Sequence, residues 1–170
     1  MLIPTAGKGA QVISALGPSL PRLFVLPVAQ FVATLSCIVF AGAAIYINLV
    51  EHPARMGCST QIAATVWAPS YKRGTWMQAP LAVVSFFGGT ASWLLGAGIG
   101  WLVGAIIILA VVPFTFLAIM PTNNELLAPG RDLTSPETRA LLERWAMLHG
   151  VRTVLSLAAS AIFLWLLVRA

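Results

Sequence analysis

The sequence predicts an all-α integral membrane protein, a four-helix bundle in up-down-up-down order. Of its 170 residues, 59% are hydrophobic and 9% are charged, whereas a soluble domain carries roughly 25% charged residues. The few charges also leave long uncharged runs at residues 23–50, 74–124 and 153–168. A spanning helix needs about 20 apolar residues, so these runs have room for four spans.

The four spans are predicted near residues 23–50, 77–96, 99–120 and 145–168. They form a single four-span domain over residues 23–168. Glycines at 96, 98 and 100 predict a short turn between the second and third spans, which makes that pair antiparallel. Residues 1–22 contain Gly, Pro and Ser and are expected to form a mobile N-terminal tail. This tail is not a cleavable signal, because the apolar stretch after it is too long.

A short amphipathic helix is predicted over residues 136–144, directly before the fourth span. Thr134 or Ser135 is the expected N-cap, Pro136 lies in the first turn and Glu137 follows it. Ser and Thr accept hydrogen bonds from the first N–H groups of a helix, and proline suits the first turn. We expect the charges of this short helix to face water.

The formal net charge of +5 is interpreted as a topology signal and not as a nucleic-acid surface, because no basic block or basic helix is present. Lys and Arg are more frequent on the side of the loops 51–76 and 121–144. These loops are therefore predicted to be cytoplasmic, with the termini on the opposite side. The loop side holds Arg55, Lys72, Arg73, Arg131, Arg139 and Arg144, and the terminal side holds Lys8, Arg22 and Arg169.

Polar and small side chains share one face of the first span and one face of the fourth. At 100° per residue, each set falls within about 60° of helical phase. A polar face is costly against lipid, so both faces are expected to point into the bundle. The first-span face holds Gln30, Thr34, Cys37, Ala41, Asn48, His52 and Arg55, and the fourth-span face holds Trp145, His149, Arg152 and Ser156.

Other polar or aromatic residues have simpler interpretations. In the second span, Ser85, Gly89, Ser92 and Gly96 form a ridge of small residues that favours close helix packing. Trp67 and Trp76 lie near the predicted membrane border and are interpreted as interfacial anchors. No phosphate loop, nucleotide fingerprint, nucleophile elbow or haem attachment motif is present.

Arg152 is predicted to lie one or two turns inside the membrane border. A guanidinium at that depth needs a carboxylate, backbone carbonyls or water. Glu51 and Glu125 are the acidic residues near the matching depth. We therefore expect Arg152 to pair with one of them.

Two kinds of chemistry are compatible with the polar residues at this border. His52 and His149, the only histidines, can each move a proton near neutral pH. Alternatively, His52, His149, Glu51 and Glu125 would supply a nitrogen and oxygen shell for iron, copper or zinc. The metal hypothesis lacks any His-x-x-x-His, Glu-x-x-His or paired-cysteine spacing.

Three segments of the chain resemble a family of four-helix membrane proteins, largely of unknown function, that includes the anthrone oxygenases. The first is Asn48-Leu49-Val50-Glu51-His52-Pro53-Ala54-Arg55. The second is Met120-Pro121-Thr122-Asn123-Asn124-Glu125-Leu126-Leu127. The third comprises Trp145, His149, Arg152 and Thr153. The best-characterised members convert an anthrone to an anthraquinone with dioxygen.

The resemblance implies base-assisted oxidation of a hydrophobic phenolic or quinone-like substrate, with no cofactor. His52 or His149 would be the base, and the carbanion that it generates would reduce dioxygen directly. The expected catalytic residues are His52, His149, Arg152 and Glu51. The expected substrate-binding residues are Asn48, Asn123, Asn124 and Trp145, with Asn123, Asn124 and Arg152 holding the phenolate oxygen and Trp145 stacking on the ring.

Two other functions stay open at this point. One is a metal-dependent membrane oxidoreductase built on the two histidines and their acidic partners. The other is a non-enzymatic accessory subunit of a larger membrane complex. The expected partners are a hydrophobic small molecule and the lipid bilayer, but not nucleic acid, with a homo-oligomer or a complex left open.

Overall fold

In the computed structural model, residues 20–169 are described, with side chains from Phe24 onwards. Every regular element among them is helical, which confirms the all-α class. The α-helices are α1 Leu20–Tyr46, α2 His52–Met56, α3 Thr60–Ser92, α4 Ile99–Phe114, α5 Met120–Leu126 and α6 Pro136–Val168. Short π-helical segments at Ile47–Glu51, Trp93–Ala97 and Thr115–Ile119 continue α1, α3 and α4. Most of the predicted N-terminal tail, residues 1–19, lies outside the described residues.

Four helical stretches are long and apolar enough to cross a membrane. They are the first span Phe24–Met56, the second span Thr60–Ala97, the third span Ile99–Leu126 and the fourth span Pro136–Val168. This agrees with the predicted four-span architecture and with a multi-pass membrane protein. The up-down-up-down order relative to a membrane and the sidedness of the loops stay predictions.

The predicted loop at 51–76 is wrong, because α3 begins at Thr60 and runs through Ser92. Charged residues marked the ends of the predicted spans. Lys72 and Arg73 instead lie on the exposed side of α3, where they leave the backbone hydrogen bonds of the helix intact. Prolines inside α3 do not end it either, since neighbouring helices accommodate proline in membrane bundles.

The connection before the fourth span is also shorter than predicted. Helix α5 extends the third span to Leu126, and α6 is one continuous helix from Pro136, so the helix predicted over 136–144 forms the first turns of the fourth span. The predicted N-cap is confirmed at Ser135, whose hydroxyl accepts a hydrogen bond from the Thr138 N–H at 3.2 Å. In the loop, the N–H and hydroxyl of Thr134 donate to Asp132 and lower the pKa of its carboxyl.

Small residues bring the four spans together. Neighbouring spans pack in sequence order, and the first also packs on the fourth. The Ser85 hydroxyl donates to the Ala33 carbonyl oxygen at 2.9 Å. Gly89 and Gly104 both lie against the ring of Phe163, where added Cβ atoms would come within 3.0 Å and 2.5 Å of ring carbons. The packing interpretation is therefore confirmed for Ser85 and Gly89, whereas Gly96 is exposed and lies in the turn.

The turn between the second and third spans depends on glycine. Gly96 and Gly98 have φ angles of +93° and +98°, a region that side-chain-bearing residues rarely adopt. The predicted glycine turn is therefore confirmed at these two positions.

An arginine joins the end of the first span to the start of the fourth. Arg139 donates from Nη2 to the Met56 carbonyl oxygen at 2.6 Å and from Nη1 to the Cys58 carbonyl oxygen at 3.2 Å. The Met56 carbonyl ends α2 and the Cys58 carbonyl follows just beyond it, so a cation there is favourable. The contact places α2 beside the first turns of α6, where His52 and Trp145 meet.

Candidate functional site

The predicted inward faces of the first and fourth spans are confirmed. On the opposite face of the first span, Phe31 and Tyr46 are more than half exposed. The side chains that were predicted inward and are buried are Gln30, Thr34, Cys37, Ala41, His52 and Arg55 in the first span, and Trp145, His149, Arg152 and Ser156 in the fourth. Asn48 is partly buried and reaches the fourth span through hydrogen bonds.

Asn48 holds His149 in one orientation. It lies in the π-helical segment of the first span, and its Nδ2 donates to the Ala146 carbonyl oxygen at 3.0 Å. This bond identifies Oδ1 as the other end of the amide, and Oδ1 accepts from the Thr153 hydroxyl of the fourth span at 2.7 Å. The same Oδ1 lies 2.6 Å from His149 Nδ1.

This arrangement fixes the tautomer of the His149 imidazole. An amide oxygen can only accept, so His149 Nδ1 must carry the hydrogen. In the neutral ring, Nε2 is then the unprotonated nitrogen and is able to take a proton. The geometry suits His149 to act as a base through Nε2.

An aromatic cluster surrounds the two histidines. The Trp145 ring contacts the His149 ring at a centroid distance of 4.9 Å and the His52 ring at 5.4 Å. Trp67 meets Trp145 edge-on at 5.8 Å, and Tyr71 stacks on Trp67 at 5.2 Å. Flat aromatic walls of this kind suit a flat ring ligand.

The prediction that Arg152 pairs with Glu51 or Glu125 is wrong. Its Nη2 donates to Gln78 Oε1 at 2.9 Å, and its guanidinium carbon lies 5.4 Å from the centre of the Phe40 ring. Arg152 Nε has no hydrogen-bond partner among the described residues. The buried cation is therefore neighboured by a neutral amide and an aromatic face, and its buried Nε hydrogen is available to a ligand.

Glu51 and Glu125 are placed away from Arg152 for different reasons. Glu51 forms an ion pair with Arg55, one helical turn further on, and accepts a hydrogen bond from Ser70 of the second span. Glu125 lies on the exposed side of α5. Glu51 is thus taken by a closer cation, Arg55, and Glu125 faces outward.

Many buried polar atoms at this end of the bundle have no hydrogen-bond partner among residues 20–169. Most buried polar groups in proteins do have one. The unpartnered atoms include both ring nitrogens of His52, both amide atoms of Asn123, Thr122 Oγ1, Gln78 Nε2, and the indole nitrogens of Trp67 and Trp145. Such a set favours the binding of a ligand with polar groups.

The two neighbouring asparagines are separated by the rotation of α5. Asn123 is fully buried, whereas Asn124 is exposed. Only Asn123 therefore lies in the interior with the other polar residues.

Two cavities meet at Arg152. A small one of about 20 Å³ is lined by Gln78, Trp145, His149 and Arg152, and it has room for about one water molecule. A more apolar one of about 100 Å³ lies between the second and third spans, against Phe40, Val111, Phe116 and Met120. Tyr71, Thr75 and Arg152 line both cavities.

The residues of the alternative metal set are not assembled. Within the described part of the chain, no group of three or more His, Cys, Asp or Glu side chains is arranged to hold a metal ion. Glu51 is engaged by Arg55, and Glu125 faces outward.

Sequence reasoning assigned no site role to Gln78 and underweighted two aromatic residues, Tyr71 and Trp67. Tyr71 and Gln78 line the small cavity, and Trp67 is 1% exposed and packs on Trp145. The interpretation of Trp67 as a membrane anchor is therefore wrong, whereas Trp76, 83% exposed, is placed as an anchor would be. A signal for Gln78 was present, because this amide lies seven residues before Ser85 and so shares the inward face of the second span.

The fold and the site define a class of four-helix membrane proteins. In this class, an asparagine amide orients a buried imidazole, and a guanidinium that has no carboxylate partner lines the same cavity. The profile of the family described as Anthrone oxygenase matches residues 67–162. Because the match covers more than half of the chain, the protein belongs to the anthrone oxygenase family, as its sequence motifs predicted. No curated protein and no solved structure matches the chain.

Proposed function

We propose that this protein is a membrane-bound oxygenase that oxidises a hydrophobic, anthrone-type phenol with dioxygen, without a metal or an organic cofactor. The observation that carries the proposal is the hydrogen bond from His149 Nδ1 to Asn48 Oδ1, which leaves Nε2 as a base beside Arg152 and Trp145. The family supports the substrate class.

The proposed reaction needs one base and dioxygen. His149 Nε2 removes a proton from the acidic methylene group opposite the anthrone carbonyl, which leaves an electron-rich carbanion. The carbanion reduces dioxygen and forms a carbon–oxygen bond, and protonation gives a hydroperoxide. Removal of the second hydrogen from that carbon cleaves the O–O bond and releases water. One dioxygen is consumed, one oxygen atom becomes the new carbonyl and the other leaves in water.

Arg152 supplies the positive charge for this chemistry. Deprotonation of an anthrone moves negative charge onto its oxygen, and a guanidinium with a free Nε hydrogen can stabilise that charge. A donor placed in this way contributes roughly 10²- to 10³-fold in rate, and a positioned base roughly 10²- to 10⁴-fold. Trp145 provides a flat surface for the rings.

The other residues are assigned supporting roles. Asn48 positions His149 and does not contact substrate, because its amide is already used by the fourth span. Asn123 offers an unpartnered amide for a second substrate oxygen. His52 lies on Trp145 and serves as a second proton acceptor, while Glu51 fixes Arg55.

The loops that follow the first and third spans are proposed to face the cytoplasm. The excess of Lys and Arg on that side supports this orientation. Under this proposal, the site lies toward the cytoplasmic border of the bilayer.

The test uses purified protein in phosphatidylcholine nanodiscs, treated with a metal chelator and supplied with 1,8-dihydroxyanthrone. Dioxygen uptake and anthraquinone absorbance are recorded together, with the spontaneous rate in empty nanodiscs subtracted. The proposal expects turnover with one dioxygen consumed per quinone, lost in His149→Ala and retained in Asn124→Ala. Turnover that the chelator abolishes and one metal restores would favour the metal-dependent alternative, and no turnover above the spontaneous rate would contradict the proposal.

A further inference from the structure

An open cleft lies between the first and second spans, next to the site. Its volume is about 490 Å³, within the range of roughly 300–1,000 Å³ typical of small-molecule sites. The cavity at His149, by contrast, measures about 20 Å³ and holds no ring system. A ring substrate must therefore occupy another space before the bundle admits it.

Three residues form the wall between this cleft and the cavity at His149. Ile47, Ser70 and Gly74 line both spaces. Ser70 is small and Gly74 has no side chain, so Ile47 is the only bulky side chain in the shared wall. Ile47 begins the π-helical segment that also carries Asn48, and such segments are frequent at functional sites.

The chemistry of the cleft suits an amphipathic phenol. Tyr46, Val66 and Met77 provide apolar surface at one part of the lining, and Glu51 and Arg73 provide charges at another. The Glu51 carboxylate is a strong hydrogen-bond acceptor, and an aromatic hydroxyl is a matching donor. A saturated lipid chain has no group that uses these charges.

We propose that this cleft is the access site of the enzyme, where a polycyclic phenol from the bilayer binds before it passes Ile47 to reach His149. The inference rests on the proposed function for the destination of the ligand, but its binding test does not depend on turnover. The cleft holds the rings against its apolar wall and a phenolic hydroxyl at Glu51.

Two glycines provide a matched pair for the test. A Cβ atom added at Gly74 or at Gly42 meets no atom within 4 Å, so both positions accept a side chain. Gly74 lines the cleft, whereas Gly42 lies on the exposed face of the first span outside it. Both lie inside α-helices, where replacement of glycine does not weaken the helix.

The binding experiment measures cysteine labelling in nanodiscs. Gly74→Cys is made in a Cys58→Ser background, since Cys58 is exposed and the remaining Cys37 is buried, and the unchanged protein, whose exposed Cys58 lies outside the cleft, is the control. Labelling by a maleimide is timed with and without 1,8-dihydroxyanthraquinone, the unreactive quinone form. At ten times the dissociation constant, about a tenth of the sites stay free, so labelling at position 74 should slow about tenfold, and labelling of Cys58 in the unchanged protein should not change.

The same labelling separates a phenol site from a lipid groove. Equal slowing by palmitic acid, equal slowing at both positions, or no slowing at position 74 would overturn the access-site proposal.

In kinetic assays, Gly74→Leu should raise KM for 1,8-dihydroxyanthrone about tenfold with little change in kcat, a loss of about 1.4 kcal/mol in binding. Gly42→Leu should behave as the unchanged protein.

The two proposals fail in different ways. Slower labelling at position 74 without any turnover would contradict the oxygenase proposal and would leave the cleft as a phenol-binding site. Turnover with unchanged labelling at position 74, and with an unchanged KM in Gly74→Leu, would contradict the access-site proposal alone.

Discussion

The Asn48 Oδ1 atom lies 2.6 Å from His149 Nδ1, a contact between residues 101 positions apart in the chain. It connects the π-helical end of the first span to the middle of the fourth. Because Asn48 also donates to the Ala146 carbonyl, its amide cannot turn without losing a bond. The contact therefore decides both where the imidazole points and which of its nitrogens is free.

Changing the Asn48 amide should reduce turnover without weakening substrate binding. Asn48→Ala removes the acceptor of His149 Nδ1, and misplacement of a reacting group by about 1 Å costs roughly 10²-fold in rate. Asn48→Asp keeps an acceptor oxygen at the same reach and should recover part of kcat. Steady-state kinetics with 1,8-dihydroxyanthrone check this. A raised KM with unchanged kcat would instead assign Asn48 to substrate contact.

The Arg152–Gln78 pair should contribute to catalysis more than to stability. Gln78→Leu alone leaves the guanidinium without the one side chain among the described residues that accepts a hydrogen bond from it, which should cost about 1–3 kcal/mol. The double variant Arg152→Met with Gln78→Leu removes both polar groups and should be at least as stable as the unchanged protein, but inactive. Thermal unfolding in detergent and dioxygen uptake measure the two effects. A double variant as unstable as Gln78→Leu would contradict this account.

Close packing at Gly104 should be essential for the bundle. Its added Cβ would lie 2.5 Å from Phe163 Cε1, and that ring is fully buried against Trp101. Gly104→Ala should therefore lower the free energy of unfolding by about 1–3 kcal/mol. The control Gly42→Ala enters open space and should be neutral or slightly stabilising. Equal stability of the two variants would show that the spans tolerate a looser contact.

Helical phase and charge placement predicted much of this architecture. Uncharged runs located the four spans, and the period of 3.6 residues placed His52, His149 and Arg152 inside the bundle. Both signals can be read from the sequence of a single span, without knowledge of how the spans pack. The N-cap at Ser135 was predictable for the same reason, since it depends on residues three positions apart.

The ends of the helices and the partners of the buried charges were not predictable in this way. Lys72 and Arg73 were predicted to lie in a loop before the second span, but a helix can carry charges on an exposed side. The choice of Gln78 over a carboxylate for Arg152 depends on how the second span is rotated against the fourth. That rotation follows from packing between spans, and single-span patterns do not contain it.

Exchange of the acidic methylene hydrogens of 1,8-dihydroxyanthrone in D₂O, without dioxygen, tests the central claim most directly. Without dioxygen the proposed base should still remove and return the proton, so nuclear magnetic resonance should show the protein accelerating deuterium uptake over empty nanodiscs. In His149→Gln the acceleration should fall by roughly 10²- to 10⁴-fold, while His52→Gln keeps most of it. Equal acceleration by the unchanged protein and His149→Gln would contradict the assignment of His149 as the base.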